Sequence, residues 1–153
     1  MVEVYNLLNK LEFLEEVAIL EYEEWADNKE KDKENRIVKK IEKIKSNLKN
    51  DDFCKLILLS NDRLIGFISI FPNDCDECIN LTPWYATMYV KKEYRGNGYS
   101  KILNNAILEE SRRRNYNYKE IFLKTDLNNY YEKFGAKFIK KLDNGEKLYK
   151  FEL

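Results

Sequence analysis

The chain contains no histidine, and among its 153 residues it has only five glycines, two prolines and three cysteines. Its 27 lysines and arginines are matched by 27 aspartates and glutamates. Each shortage narrows the chemistry. Cys75-Asp76-Glu77-Cys78 has the spacing of a metal half-site, but without histidine only Cys54 remains as a further soft ligand. Structural zinc takes four nitrogen or sulfur ligands, so no metal is expected. Three cysteines, an odd number, suit a reducing compartment better than a disulfide framework. A formal net charge of zero argues against a general nucleic-acid surface, which wants a basic excess. Nowhere do about 18 apolar residues run together, and acids stand near the start where a secretory signal needs a positive charge. The expectation is a cytoplasmic protein with neither a nucleic-acid nor a membrane partner.

What is present suits one domain over residues 1–153, long enough to bury a core. Val2 to Tyr5 alternates as a first edge strand. Leu7, Leu11, Leu14, Ala18, Tyr22 and Trp25 recur at spacings of three and four, the mark of one helix face, and Ile37, Ile41, Ile44 and Leu48 repeat it. Phe53–Ser60 and Leu64–Phe71 are β-rich runs joined by Asn61-Asp62-Arg63, which reads as a hairpin. The two prolines, Pro72 and Pro83, bound a polar, acidic loop. A strand over Trp84–Val90, a helix over Ser100–Asn115, a strand over Glu120–Lys124, a short helix near Asn128–Phe134 and a strand pair across Asp143-Asn144-Gly145 complete the order. Charge is uneven: residues 1–30 hold nine acids against two bases, whereas 91–119 hold eight bases against three acids.

Two of the few glycines fall together in Val90-Lys-Lys-Glu-Tyr-Arg95-Gly96-Asn97-Gly98-Tyr99-Ser100, where a strand gives way to an amphipathic helix. Gly96 and Gly98 lack a Cβ, so the backbone can turn with positive φ and converge several N–H groups on one anion. The helix that follows adds its dipole and its unpaired first-turn amides, which favour a phosphate. The same residues also suit a plain strand-to-helix turn. A Walker loop needs Gly-Lys-Ser/Thr, whereas Tyr99 and Ser100 follow here. A dinucleotide fingerprint needs a third small residue where Lys101 stands.

Arg95-x-x-Gly98-x-Ser100 after a strand resembles the pyrophosphate-binding segment of the GNAT superfamily of N-acetyltransferases, whose usual form is Gln/Arg-x-x-Gly-x-Gly/Ala. Ser100 departs from that form but remains small. A second segment is similar to the family's closing Tyr-x-Lys-x-Gly-Phe: Tyr131, Lys133 and Gly135 match, with Ala136 in place of the usual Phe and Phe138 nearby. The resemblance implies an α/β (α+β) fold with a mixed, mostly antiparallel central sheet flanked by helices. It also implies acetyl-CoA as co-substrate, its pyrophosphate held by Arg95, Gly96, Asn97, Gly98, Tyr99, Ser100 and Lys101. Main-chain groups of Met88, Tyr89 and Val90 would bind the pantetheine arm and the developing oxyanion.

Tyr131 is then the general acid for the departing thiolate, and Tyr130 beside it is assigned to the core. The family often places Asn seven residues before that Tyr; here the position is Lys124, and its role falls to Asn128 or Asn129, of which Asn129 is assigned to the cofactor. No carboxylate or histidine lies in Trp84–Val90 to take the amine proton, which leaves Glu23, Glu24, Asp74, Asp76 and Glu77 as candidates through water. Glu24, Trp25 and Trp84 are assigned to the acceptor, and the acidic first helix with the Asp74–Glu77 loop reads as a mouth for a cationic small-molecule amine. The implied reaction is direct attack in a ternary complex. A protein or peptide N-acetyltransferase, and a non-catalytic CoA-binding module, remain open as alternatives. So does a homodimer.

Overall fold

The computed structural model describes residues 1–26, 31–114 and 118–153. Asn61 and Asp62 both adopt left-handed φ, 51° and 60°, which makes a two-residue turn whose twist matches that of the strands it joins. It connects β2 (Cys54–Ser60) to β3 (Arg63–Phe71). The other strands are β1 (Glu3–Asn6), β4 (Trp84–Val90), β5 (Glu120–Thr125), β6 (Lys137–Lys141) and β7 (Lys147–Glu152). They form one seven-stranded sheet in the order β1-β2-β3-β4-β5-β7-β6, antiparallel throughout except between β4 and β5.

Helices cover both faces. Ile57 and Leu59 of β2 pack with Leu14, Val17 and Ala18 of α1 (Leu14–Trp25) and Ile44 of α2 (Lys33–Asn47). Leu56 and Leu58 point the other way, into a cluster with Leu103 and Ile107 of α3 (Tyr99–Arg113). A strand covered on both sides reads as an unbroken apolar run, which is why Leu56-Ile57-Leu58-Leu59 shows no alternation. Each such side chain contributes about 1.5–3 kcal/mol by burial.

The first helix differs from its sequence pattern. Leu7–Asn9 and Leu11–Phe13 are separate 3₁₀ turns, because the Asn6 side chain accepts from the Leu8 N–H and Lys10 leaves the helical region at φ −140°. The inward face of α1 is Leu14, Val17, Ala18 and Glu21, whereas Leu11 and Trp25 are exposed. The short helix expected near Asn128 shrinks to a 3₁₀ turn, Tyr131–Phe134, closed by Gly135 at φ +96°. The end of the expected Ser100–Asn115 helix falls outside the described residues. Among the described residues no helix is long and apolar enough to cross a membrane.

Candidate active site

β4 carries a bulge. Phe67 pairs with Tyr89 and Ser69 with Ala86, so Thr87 and Met88 together stand opposite Ile68. At the bulge Thr87 takes φ +50°, a region that a β-branched residue rarely enters. On its other side β4 meets β5 only at Trp84 and Phe122 among the described residues. Beyond that point the strands part, and a cleft of about 750 Å³ opens between them.

Tyr85, Thr87 and Met88 of β4 line one wall of this cleft, and the end of β5 with the residues that follow it, Leu123 to Leu127, lines another together with Tyr131. Helices α1 and α2 contribute Glu21, Glu24, Trp25 and Lys40, and the loop after β3 contributes Asp74. Tyr131 is fixed by aromatic packing: its ring is edge-on to Tyr85 at 5.7 Å and to Tyr130 at 4.8 Å. Burial first, and then the neighbouring Tyr130, push its phenol pKa up to about 12. The hydroxyl therefore keeps its proton throughout the neutral range, as a proton donor must. Tyr130 is half-buried against Tyr131 and Phe134 and stands outside the core, contrary to its assignment from sequence.

Asp74 has its carboxyl pushed up to about 6, chiefly by burial, with Lys124 opposing and Glu146 reinforcing the shift. Of the five carboxylates considered from sequence, Glu24 and Asp74 line the cleft. Glu23 pairs instead with Lys33 at 3.9 Å, and Glu77 accepts the Asp143 N–H at 3.0 Å. Glu21, Asp126 and Glu146 line the cleft without having been singled out. The mouth is mixed in charge, since Lys40, Lys43 and Lys124 share it.

The remaining sequence candidates divide. Gly98 starts α3 as its N-cap at φ +79°, Gly96 lies at φ +83°, and a Cβ built on either meets nothing within 4 Å. The loop is thus open to solvent in front of the first-turn amides, with no side chain capping them. These are the features of a backbone anion cradle, and a pyrophosphate fits them. Lys101 is exposed on the first turn, while Tyr99 and Ser100 are half-buried. Asn97 turns its amide back to the Tyr94 carbonyl at 2.9 Å and so braces the loop. Arg95 donates from Nε to the Val90 carbonyl at 2.8 Å, and its guanidinium lies over the Tyr89 ring. Tyr89 stacks on Phe67 and meets the edge of Trp25. Arg112 and Arg113 end α3 and Arg114 follows as its C-cap, roughly 20 Å from Gly98 at helical rise and away from the cradle.

Two assignments are displaced. Trp84 is 0 % exposed, packs with Phe122, Leu142 and Leu148 and donates its indole N–H to the Leu81 carbonyl, so it does not face the cleft. Asn129, at φ +57°, is exposed outside the cleft lining. Trp25, by contrast, is 51 % exposed at the cleft edge.

Sequence reasoning passed over a buried polar group on the cleft floor. The Lys55 ammonium, 0 % exposed, donates to Glu21 Oε1, to Ser69 Oγ and, at 3.3 Å, to Thr87 Oγ1. Burial pushes the Lys55 pKa down and Glu21 opposes it. A charged residue inside the run Phe53-Cys54-Lys55-Leu56-Ile57 was the available signal, because a buried ammonium demands partners.

An α/β sheet with its fourth and fifth strands parted, beside a glycine cradle at a helix start, defines an acyl-CoA N-acyltransferase fold. The chain belongs to the acetyltransferase (GNAT) family, whose sequence model matches residues 5–136. Solved structures share the fold over nearly their whole length. An aminoglycoside 6'-acetyltransferase type Ii is 18% identical, with 99% of this chain and 96% of that one covered and a TM-score of 0.70. The PaiA N-acetyltransferase from Thermoplasma acidophilum, in complex with coenzyme A, is 22% identical over 100% of this chain and 99% of that one, with a TM-score of 0.67. A GNAT-family acetyltransferase from Staphylococcus aureus Mu50 is 20% identical over 100% and 99%, with a TM-score of 0.69. No curated protein sequence matches the chain.

Proposed function

We propose that this protein transfers acetyl from acetyl-CoA to the primary amine of a small molecule, by direct attack within a ternary complex. The observation that carries the reading is the unpaired edge of β4 beyond Trp84, with the Gly96–Gly98 cradle past its end and Tyr131 in the same cleft. The coenzyme A complex of the Thermoplasma acidophilum relative supports the choice of donor.

Bound acetyl-CoA would supply an activated acyl carbon and a thiolate leaving group. The first-turn amides of α3 hold the pyrophosphate, and the main chain of Met88 to Val90, apart from the Val90 carbonyl that Arg95 occupies, binds the extended arm and the carbonyl oxygen. The amine nitrogen bonds to the carbonyl carbon, the carbon–sulfur bond breaks with its electron pair passing to sulfur, and Tyr131 gives sulfur its phenolic proton. Asp74, of the five carboxylates considered, combines cleft position with a pKa near neutrality, and it takes the amine proton directly or through water. Glu24 and the exposed face of Trp25 attract and cover a cationic acceptor. Incubation with labelled acetyl-CoA and parallel pools of metabolites and peptides, followed by mass spectrometry, tests the reading. Label in amine metabolites upholds it, label confined to peptides replaces the acceptor class, and binding without transfer to any amine leaves a CoA-binding module.

A further inference from the structure

The bulge on β4 depends on a residue that is poorly suited to it. Threonine branches at Cβ and rarely occupies φ +50°, and a residue held there persists only when its surroundings over-determine it. Those surroundings are a line of polar groups crossing the sheet. Lys55 of β2 is paired in register with Ser69 of β3, and Ser69 with Ala86 of β4, the residue before Thr87. The Lys55 ammonium has three protons and spends them on Glu21, Ser69 and Thr87. Ser69 Oγ and Thr87 Oγ1 are themselves 2.6 Å apart. Glu21 uses its second oxygen on Lys40 of α2 at 3.4 Å.

The rings of Phe53, Phe67 and Phe71 lie 5.4–6.0 Å from the ammonium, which is 0 % exposed beneath the cleft while Thr87 is in place. A return of Thr87 to ordinary extended backbone would swing its side chain toward the opposite face, because strand side chains alternate. Oγ1 would leave the ammonium with an unmet donor in an apolar surrounding, the costly state for a buried charge. The left-handed Thr87 and the filled valences of Lys55 are therefore one arrangement.

We propose that Lys55 is a positioning residue that holds Thr87 in its left-handed conformation, and so keeps the edge of β4 free of β5 for the acyl donor. The first half of this statement stands on the geometry alone, and the second rests on the acetyl-transfer reading. Lys55 touches no reacting atom. Through Glu21 and Lys40 it ties the helices on the acceptor side of the cleft to the strand on the donor side.

The test compares four full-length proteins: wild type, Thr87→Gly, the double variant Glu21→Gln/Lys55→Met, and the triple variant that combines all three changes. Removing both charges together leaves no fully buried charge unpaired; Lys40, which also loses Glu21, reaches solvent. Calorimetry should give the double variant about ten- to hundredfold weaker acetyl-CoA binding, the range that corresponds to releasing one strained residue. Glycine occupies the left-handed region freely, so the triple variant should bind within about threefold of Thr87→Gly alone. An equal loss in the double and triple variants, or no loss in the double, overturns the proposal. Thr87→Val leaves the Lys55–Glu21 pair in place and should weaken binding in the same way; unchanged affinity there also overturns it, whether or not the double variant folds. A wild-type chain that binds no acetyl-CoA would sink the transferase reading alone. In that case φ at Thr87 in a crystal structure of Thr87→Val's companion, the double variant, decides this inference: a negative value upholds it and a value near +50° refutes it.

Discussion

Replacing Asp74 with asparagine should make the protein more stable at neutral and alkaline pH and no more stable in acid. The side chain is half-buried in the loop between β3 and β4, and burial raises its pKa from 3.8 to about 6. At about 1.36 kcal/mol for each pH unit, that rise withholds at most about 3 kcal/mol from folding once the carboxylate is charged in both states, and water at this partly exposed group screens the cost to about 1–3 kcal/mol. The folded state holds this proton more tightly than the unfolded chain does. Below pH 3.8 the group is neutral in both states and costs nothing; between 3.8 and about 6 the cost grows, and above that it is constant. Asparagine keeps the shape and never ionises. Urea unfolding should therefore place Asp74→Asn within about 0.5 kcal/mol of wild type at pH 4 and about 1–3 kcal/mol above it at pH 8. If Asp74 also takes the amine proton, kcat/KM rises through pH 6 in wild type and loses that limb in the variant. Equal stability of the two proteins at pH 8 would refute the claim that burial governs this carboxyl.

Three further outcomes follow from named contacts. Gly66→Ala places a Cβ 2.3 Å from the Tyr89 carbonyl oxygen and 3.2 Å from Leu103, so urea unfolding should show a loss of about 3 kcal/mol, the upper end for overpacking. The Cβ of Gly98→Glu meets nothing within 4 Å, so the change should cost folding about 1–2 kcal/mol for its left-handed φ, yet CoA affinity by calorimetry should fall at least about 100-fold; unchanged affinity rejects the cradle. Tyr131→Phe should lower kcat on the order of 10²-fold with acetyl-CoA KM nearly unchanged, and near-normal turnover removes its role as acid.

The parts of this fold written in local chemistry were legible in the sequence. Asn61-Asp62 specify their turn by tolerating left-handed φ, and Gly98 marks the start of α3 for a similar reason. Boundaries set by a single side chain were not. The Asn6 cap and the non-helical Lys10 divide what periodicity joins into one helix. Facing was ambiguous wherever an aromatic sat in a strand: Trp84 and Met88 belong to the same β4, yet one is sealed under Leu142 and Leu148 and the other opens on the cleft. The Glu21–Lys55 pair spans 34 residues, and nothing near either residue announces the other. Family resemblance singled out Tyr131 and the glycine loop as candidates, whereas Asp74 and Lys55 lie outside the two segments that carry the resemblance.

The cleft takes its shape mainly from one side. β4 is fastened to β3 above and below the bulge, by the pairs from Phe71–Trp84 to Gly66–Val90 and by the Lys91 N–H on the Ile65 carbonyl at 2.9 Å. Gly66 lets the Tyr89 carbonyl approach to a distance that no side chain would allow, and Lys55 and Ser69 fix Thr87 between those anchors. Toward β5 the same strand has, among the described residues, the single pair at Trp84. The free edge of β4 is thus imposed from the β2–β3 side, by residues that an extended ligand lying against β5 need not touch. Donor affinity should accordingly respond to changes at Gly66, Ser69 and Lys55, whereas changes at Lys124 and Asp126 on the opposite wall should act chiefly on the acceptor. Kinetics that varied acetyl-CoA and amine independently would separate the two sets, and a Lys124→Ala variant that raised the acetyl-CoA KM as much as Ser69→Ala would contradict a cleft shaped from one wall.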